Sequence, residues 1–177
     1  MVISGFQELK RRLGNISPVP AVVAAANDRH TLQAVLDASR DGILHPILVG
    51  ERSALTALAH ELDFHLPPEQ IVDGDGPEDC AAKAVALIRQ GRGRMLVKGM
   101  LPTRTLLRAV VDQETGIRTG SLMSHVAVLD VPGYPKLLFD TDGGMNVAPT
   151  LAEKRHILNN VLQLCRFLGY DCPKVGV

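Results

Sequence analysis

Residues 45–62, HPILVGERSALTALAHEL, decide the fold class, because a short apolar run passes directly into an amphipathic stretch. The same order occurs in three further places, and strands that alternate with helices of about 10 to 15 residues are typical of βαβ units. The three places are PVPAVVAAA before a helix that begins near Asn27-Asp28, QIVDG before PEDCAAKAVALIRQG, and RMLVKG before TRTLLRAVVDQ. The pattern therefore predicts an α/β fold whose parallel sheet carries helices on both faces.

The pattern changes after Gly120. Two strand-like runs, SLMSHVAVLDV and KLLFDT, are separated by PGYP and predict an antiparallel hairpin. Thr150 and Glu153 have the spacing of a capping box at the start of a long helix, and the last four residues, KVGV, predict a further strand. We therefore expect residues 1–148 to form most of a first α/β domain, including the hairpin, and residues 149–177 to lead into a second domain.

Composition excludes several classes of protein. The formal net charge is zero and aromatic residues make up 3%, which argues against a nucleic-acid partner. Apolar residues occur in short runs, none close to the roughly 20 residues that cross a bilayer, and the first residues lack the order of a secretory signal. The three cysteines form no CxxC and predict neither a disulfide framework nor a zinc site. We predict a cytoplasmic protein without a membrane partner.

Basic residues are in local excess from Arg89 to Arg118, a stretch that contains seven basic residues and only two acidic ones. Lys98-Gly99 ends a predicted strand, and Thr103 is placed to cap the helix that carries Arg108. Ligands of open α/β sheets bind at the carboxyl ends of the strands, where a helix N-terminus also attracts anions. Lys98 and Arg108 are therefore candidate phosphate ligands. The alternative is that the arginines line an ordinary solvated helix face.

Two other segments are candidates for chemistry. His125 falls in a predicted strand, where it is either a base, a donor to a carbonyl or a structural side chain. The sequence DTDGGMN, residues 140–146, follows a strand and is either an anion-binding backbone nest or a polar loop. By contrast, the histidines of HELDFH (60–65) are five residues apart, about 140° around a helix, so we predict no metal site. GDG at 74–76 and GRG at 91–93 are incomplete dinucleotide fingerprints, and no phosphate-binding P-loop motif occurs.

Several ordered motifs resemble those of the phosphate acetyl/butyryl transferase family, in particular its phosphate butyryltransferase-like branch. They are KGxxxTxxxLRAV from Lys98, GIRTGSLMSHVAV, TDGGMNVAPTL and LGYDCPKVGV. The resemblance implies acyl transfer between coenzyme A and phosphate, on a fold similar to isocitrate and isopropylmalate dehydrogenases. It further implies two α/β domains, a site in their cleft and a homodimer. Coenzyme A would be a substrate, with no bound cofactor.

The resemblance also implies which residues bind the substrates, acyl-CoA and phosphate or acyl phosphate. By their positions in the motifs these are Lys98, Thr103, Arg108, Ser124, Asp142 and Asn146. Members of the family run to about twice a usual ~150-residue domain, and their serine-arginine pair and catalytic aspartate are expected beyond Val177. We therefore expect a truncated chain that is an incomplete catalytic unit. The alternatives are a non-catalytic module that binds CoA or another phosphorylated ligand and, more weakly supported, a decarboxylating dehydrogenase.

Overall fold

The computed structural model describes residues 2–14 and 16–176. Its elements follow one another along the chain in the order α1 (Phe6–Leu13), β1 (Val19–Ala24), α2 (Arg29–Arg40), β2 (Leu44–Gly50), α3 (Arg52–Glu61), a short 3-10 turn (Pro68–Gln70), β3 (Ile71–Asp73), α4 (Gly76–Arg89), β4 (Met95–Lys98), α5 (Thr103–Val111), β5 (Ala127–Leu129), β6 (Leu138–Asp140) and α6 (Leu151–Phe167).

Backbone contacts divide the chain into two compact units. Gly14–Thr119 contains β1 to β4 and is called the sheet unit below. Met1–Leu13 together with Gly120–Val177 contains α1, the β5–β6 hairpin and α6, and is called the hairpin unit. This division within the chain falls at Gly120, and the predicted domain boundary at 148/149 stays a prediction.

The sheet unit is built on four parallel strands in the order β3-β2-β1-β4. Strand β1 is central, and Val22 lies beside Ile47 of β2 and Leu96 of β4. Successive residues of a strand point to opposite faces. Val22 accordingly packs in a cluster with α4 and α5, whereas Val23 packs in a second cluster with α2 and α3. Helices thus cover both faces, and the predicted parallel α/β sheet is confirmed.

Local sequence signals explain where the helices begin and end. Asp28 caps α2 by accepting a hydrogen bond from the Thr31 backbone N–H (2.9 Å), and the chain leaves this helix through Gly42 with φ +71°. A positive φ of this kind favours glycine because it has no Cβ. Thr150 forms the predicted capping box of α6. These turns and caps set the lengths of the strands and helices.

The hairpin unit has its own small core. Strands β5 and β6 pair antiparallel, as predicted, and α6 buries Ile157, Val161 and Cys165. The hydroxyl of Tyr170 donates to the Ile3 carbonyl (2.7 Å), which ties the N-terminal segment to this unit. The unit therefore joins residues from both ends of the described chain.

Two predicted strands differ from those observed. The run SLMSHVAVLDV is extended only at Ala127–Leu129, so His125 lies in the preceding irregular segment. Residues 174–176 form no strand. The physical reason is that strands depend on pairing with a neighbour, and among residues 2–14 and 16–176 neither segment has such a partner.

Candidate functional site

The turn between β4 and α5 holds the first candidate residue, Lys98. Its ammonium donates to the carbonyls of Gly99 (3.3 Å) and Leu101 (3.1 Å), which keeps a positive charge beside the carboxyl end of β4. Gly99 is required here, because a Cβ at this position would lie 2.2 Å from the Ala25 carbonyl oxygen. The pair Lys98-Gly99 therefore combines a cation with a close approach of two backbone segments.

The N-terminus of α5 differs from those of the other helices in the sheet unit. Asp28 caps α2, Asp73 accepts from the first backbone N–H of α3 (3.0 Å), and Asp79 accepts from the N–H that precedes α4 (2.9 Å). In α5 the capping position is Pro102, and the described first turn contains no acidic residue. Since a helix N-terminus carries partial positive charge and free N–H groups, this turn remains the one best suited to an external anion.

The cleft at the carboxyl edge of the sheet has the opposite character. It encloses about 420 Å³ and is lined by three carboxylates, Glu51, Asp73 and Asp75, together with polar and apolar residues such as Asn27 and Cys80. Burial and the nearby Asp79 charge raise the pKa of the Cys80 thiol, so this cysteine stays protonated. Like charges repel a phosphate, and the sequence pattern did not reveal this acidic lining. Of these two places in the sheet unit, the β4–α5 turn is therefore the candidate for binding an anion.

The three candidate residues of the sheet unit, Lys98, Thr103 and Arg108, do not all line one surface. Thr103 is the first residue of α5 and makes no capping hydrogen bond, so the prediction that it caps the helix is wrong: Pro102 takes that place. Arg108 lies in the last turn of α5 and lines a groove of about 820 Å³ between α4 and α5. Neither Lys98 nor Thr103 lines that groove. Arg108 therefore belongs to a different surface of the same unit.

The hairpin unit holds the other three candidates. The Asp142 carboxylate accepts hydrogen bonds from the Met145 backbone N–H (3.2 Å) and from the Asn146 side chain. Partial burial acts to raise the pKa of Asp142, but these bonds outweigh it and lower the pKa. The Gly143-Gly144 loop thus folds around its own carboxylate. The loop is held by Asp142, which leaves fewer of its N–H groups for an external anion.

A second asparagine, absent from the sequence-based candidates, completes this network. Asn146 donates to the Met123 carbonyl (3.1 Å), and Asn160 of α6 donates to the Leu122 carbonyl (3.0 Å) and to the Ser124 hydroxyl (2.9 Å). The signal that reveals Asn160 is an amide one position before the buried Val161, at the edge of an apolar stripe. Asn160 thus binds Ser124, and Asn146 links Asp142 to the adjacent residue Met123, so two sets of hydrogen bonds meet on one segment of chain.

Other classes of site find no support in the residues described. Among positions 2–14 and 16–176, no group of three or more His, Cys, Asp or Glu side chains has the placement of a metal centre. None of the helices within that part of the chain combines the length and the apolar character that a membrane span requires.

The chain matches the family model described as phosphate acetyl/butaryl transferase over residues 75–177, more than half of its length. It is 38% identical over 171 residues to the phosphate butyryltransferase of Clostridium beijerinckii, covering 97% of this chain and 57% of the relative. It is 39% identical over 161 residues to the phosphate acetyltransferase of Rhizobium meliloti, covering 91% and 51%. The chain belongs to the phosphate acetyl/butaryl transferase family. It spans a little over half the length of these curated relatives.

Solved structures agree with this family and its fold. A branched-chain phosphotransacylase from Enterococcus faecalis V583 superposes with a TM-score of 0.67 at 25% identity, over 85% of this chain and 52% of that one. A phosphotransacetylase from Streptococcus pyogenes gives a TM-score of 0.78 at 18% identity, over 92% and 58%, which concerns the fold alone. The predicted family resemblance is confirmed, whereas the likeness to isocitrate dehydrogenase stays a prediction.

Proposed function

We propose that this chain contributes substrate-binding groups to a phosphate acyltransferase, which moves an acyl group between coenzyme A and phosphate. The observation that carries the proposal is the β4–α5 turn, where the Lys98 ammonium lies beside a helix N-terminus without a carboxylate. Such a turn suits the charge of phosphate, acyl phosphate or the phosphates of CoA. Homodimer formation and a cytoplasmic location remain predictions.

The roles proposed for the six residues follow from where they lie. Lys98 supplies positive charge, and Thr103 supplies a backbone N–H in the first turn of α5. Arg108 supplies a guanidinium on the α4–α5 groove, where a second phosphate of CoA is a suitable ligand. In the hairpin unit, Ser124 supplies a hydroxyl, and Asp142 and Asn146 hold the loop that flanks it. All six are binding roles, and none of them is proposed to take the proton from the CoA thiol.

Calorimetric titration of the chain with inorganic phosphate, acetyl phosphate and CoA tests the binding part. We expect saturable heat with each ligand, and Lys98→Gln is expected to weaken phosphate binding about tenfold, since hydrogen bonds to charged groups contribute about 1.5–3 kcal/mol. Arg92→Gln is the matched control, because exposed Arg92 precedes β4 at the opposite edge of the sheet. Equal losses in both variants, or no saturable binding, would refute the site.

Turnover separates the enzyme from a non-catalytic binding module. Release of the CoA thiol from butyryl-CoA is followed with and without phosphate. We propose that this chain alone binds the substrates but does not catalyse the reaction. Phosphate-dependent release of the thiol would refute this statement about the chain alone, and it would still support the assignment as a phosphate acyltransferase. Binding of CoA with no phosphate or acetyl phosphate binding would favour the non-catalytic module.

A further inference from the structure

Asn160 of the hairpin unit is not among the six proposed binding residues, but it is hydrogen-bonded to one of them, Ser124. It is half-buried in α6, and its amide nitrogen reaches two atoms of the irregular segment before β5, the Leu122 carbonyl oxygen and the Ser124 hydroxyl oxygen. The carbonyl groups of that segment have no neighbouring strand among the described residues, and the Asn160 amide satisfies the one at Leu122. Asn160 therefore does for this segment what a paired strand would do.

The chemistry of the two partners determines the direction of both bonds. A carbonyl oxygen only accepts, so the Asn160 atom that faces Leu122 must be the amide nitrogen, which only donates. The same nitrogen contacts Ser124 at 2.9 Å, and the serine oxygen is consequently the acceptor in that bond. The Ser124 hydroxyl proton is then left to donate elsewhere, and no acceptor for it is found in the described part of the chain.

Asn146 fixes the same segment from another side. Its amide donates to the Met123 carbonyl (3.1 Å) and to one oxygen of the Asp142 carboxylate, whose other oxygen accepts from the Met145 backbone N–H. Two asparagine amides thus hold three consecutive residues, 122 to 124. A donor held in this way does not have to reorganise when it meets an oxygen, which is the condition under which a hydrogen bond contributes most to binding.

We infer that Asn160 is a positioning residue: it orients Ser124 so that the serine hydroxyl donates to an oxygen of phosphate or of acyl phosphate. The inference rests on the proposed function and adds two points to it. The Ser124 hydroxyl is the donor in its bond to the ligand, and Asn160 is the residue that makes it the donor. Within the part of the chain that the structure describes, the side-chain hydrogen bonds of Asn160 go to Ser124 and to the Leu122 carbonyl.

The test reverses the polarity of the Asn160–Ser124 bond. Asn160→Asp keeps the shape of the side chain but replaces the donor by an acceptor, so the serine proton turns toward residue 160. We expect phosphate and acetyl phosphate to bind about tenfold more weakly, the loss of one hydrogen bond to a charged ligand. Asn159→Asp places the same charge on the neighbouring exposed position and is expected to change affinity less than about twofold.

Two serine variants distinguish a positioning role of Asn160 from a purely structural one, because they change the phosphate affinity through the hydroxyl of Ser124 itself. Ser124→Ala removes the donor and is expected to weaken binding about tenfold, whereas Ser124→Thr retains a hydroxyl and restores most of the affinity. If Asn160 acts through Ser124, then Asn160→Asp added to Ser124→Ala causes no further loss. Circular dichroism of each variant checks folding, and the serine pair still decides the question if Asn160→Asp does not fold.

The outcomes separate this inference from the proposed function. Binding that is weakened by Lys98→Gln but not by Ser124→Ala or Asn160→Asp overturns the inference and leaves the proposed function standing. Additive losses from the two substitutions also overturn it, since they would show independent effects. Absence of phosphate and acetyl phosphate binding in the unmodified chain refutes both.

Discussion

Replacing Gly99 by alanine is expected to destabilise the sheet unit and displace the turn that carries Lys98. A Cβ at this position would lie 2.2 Å from the Ala25 carbonyl oxygen and 2.7 Å from that of Ala24. Both oxygens belong to backbone at the end of the central strand β1, so neither can rotate away as a flexible side chain would. The turn itself has to move.

The expected loss of unfolding free energy follows from the hydrogen bonds that weaken when the turn moves. The N–H groups of Gly99 and Met100 donate to Ala24 (2.9 Å) and Ala25 (2.8 Å), and both bonds lengthen when the turn moves outward. A net cost of about 1 kcal/mol for each of the two hydrogen bonds, together with an overpacking cost of about 1–3 kcal/mol, predicts a loss of about 3–5 kcal/mol. That is a large share of the stability of a typical domain.

Urea unfolding followed by far-UV circular dichroism measures the loss, and hydrogen exchange of β1 and β4 peptides locates it. Gly42→Ala is the control, because Gly42 has φ +71° but open space around its Cβ position. Backbone strain alone is expected to cost about 1 kcal/mol there. If Gly99→Ala costs no more than Gly42→Ala, the close-approach argument is refuted.

Three further outcomes are expected. Leu48→Ala should cost about 3 kcal/mol in urea unfolding because this fully buried side chain leaves a cavity, whereas an equal loss for Leu129→Ala, at an exposed position, would contradict the assignment of the core. Thr150→Ala should lower the stability of the hairpin unit by about 1 kcal/mol through loss of the α6 cap, and unchanged unfolding would argue against the cap. Hydrogen bonds from Ser4 and Arg12 lower the pKa of Glu8 to about 2. The stabilisation by Glu8 is therefore present above its usual value of 4.5 and is lost as pH falls toward 2, and an NMR titration midpoint near 4.5 would contradict this.

Local signals predicted most of the elements but not their partners. The alternation of apolar runs and amphipathic stretches predicted four parallel strands with helices on both faces, and the structure confirms them. Asp28 and Thr150 begin their helices as predicted, because a cap depends on neighbours a few residues away. The segment around His125 was predicted as strand and is irregular, because a strand also requires a pairing partner that the segment itself does not specify.

The candidate site shows the same limit. Lys98-Gly99 was recognised from its position at the end of a predicted strand, and the structure adds the reason why the glycine is required. Thr103 and Arg108 were expected to act with Lys98, yet Pro102 occupies the capping position and Arg108 lies on the α4–α5 groove. Asn160 was missed because its partners Leu122 and Ser124 are more than thirty residues away in sequence.

The sequence by itself determined the alternation of strands and helices, the family, and the accumulation of cations before residue 119, since each depends on the residue types and their order. Tertiary structure alone decided which helix N-terminus lacks a carboxylate, which carbonyls exclude a Cβ at Gly99, and which amide holds Ser124. Periodicity and capping act over a few residues, whereas these contacts join segments that only the folded chain brings within hydrogen-bonding distance.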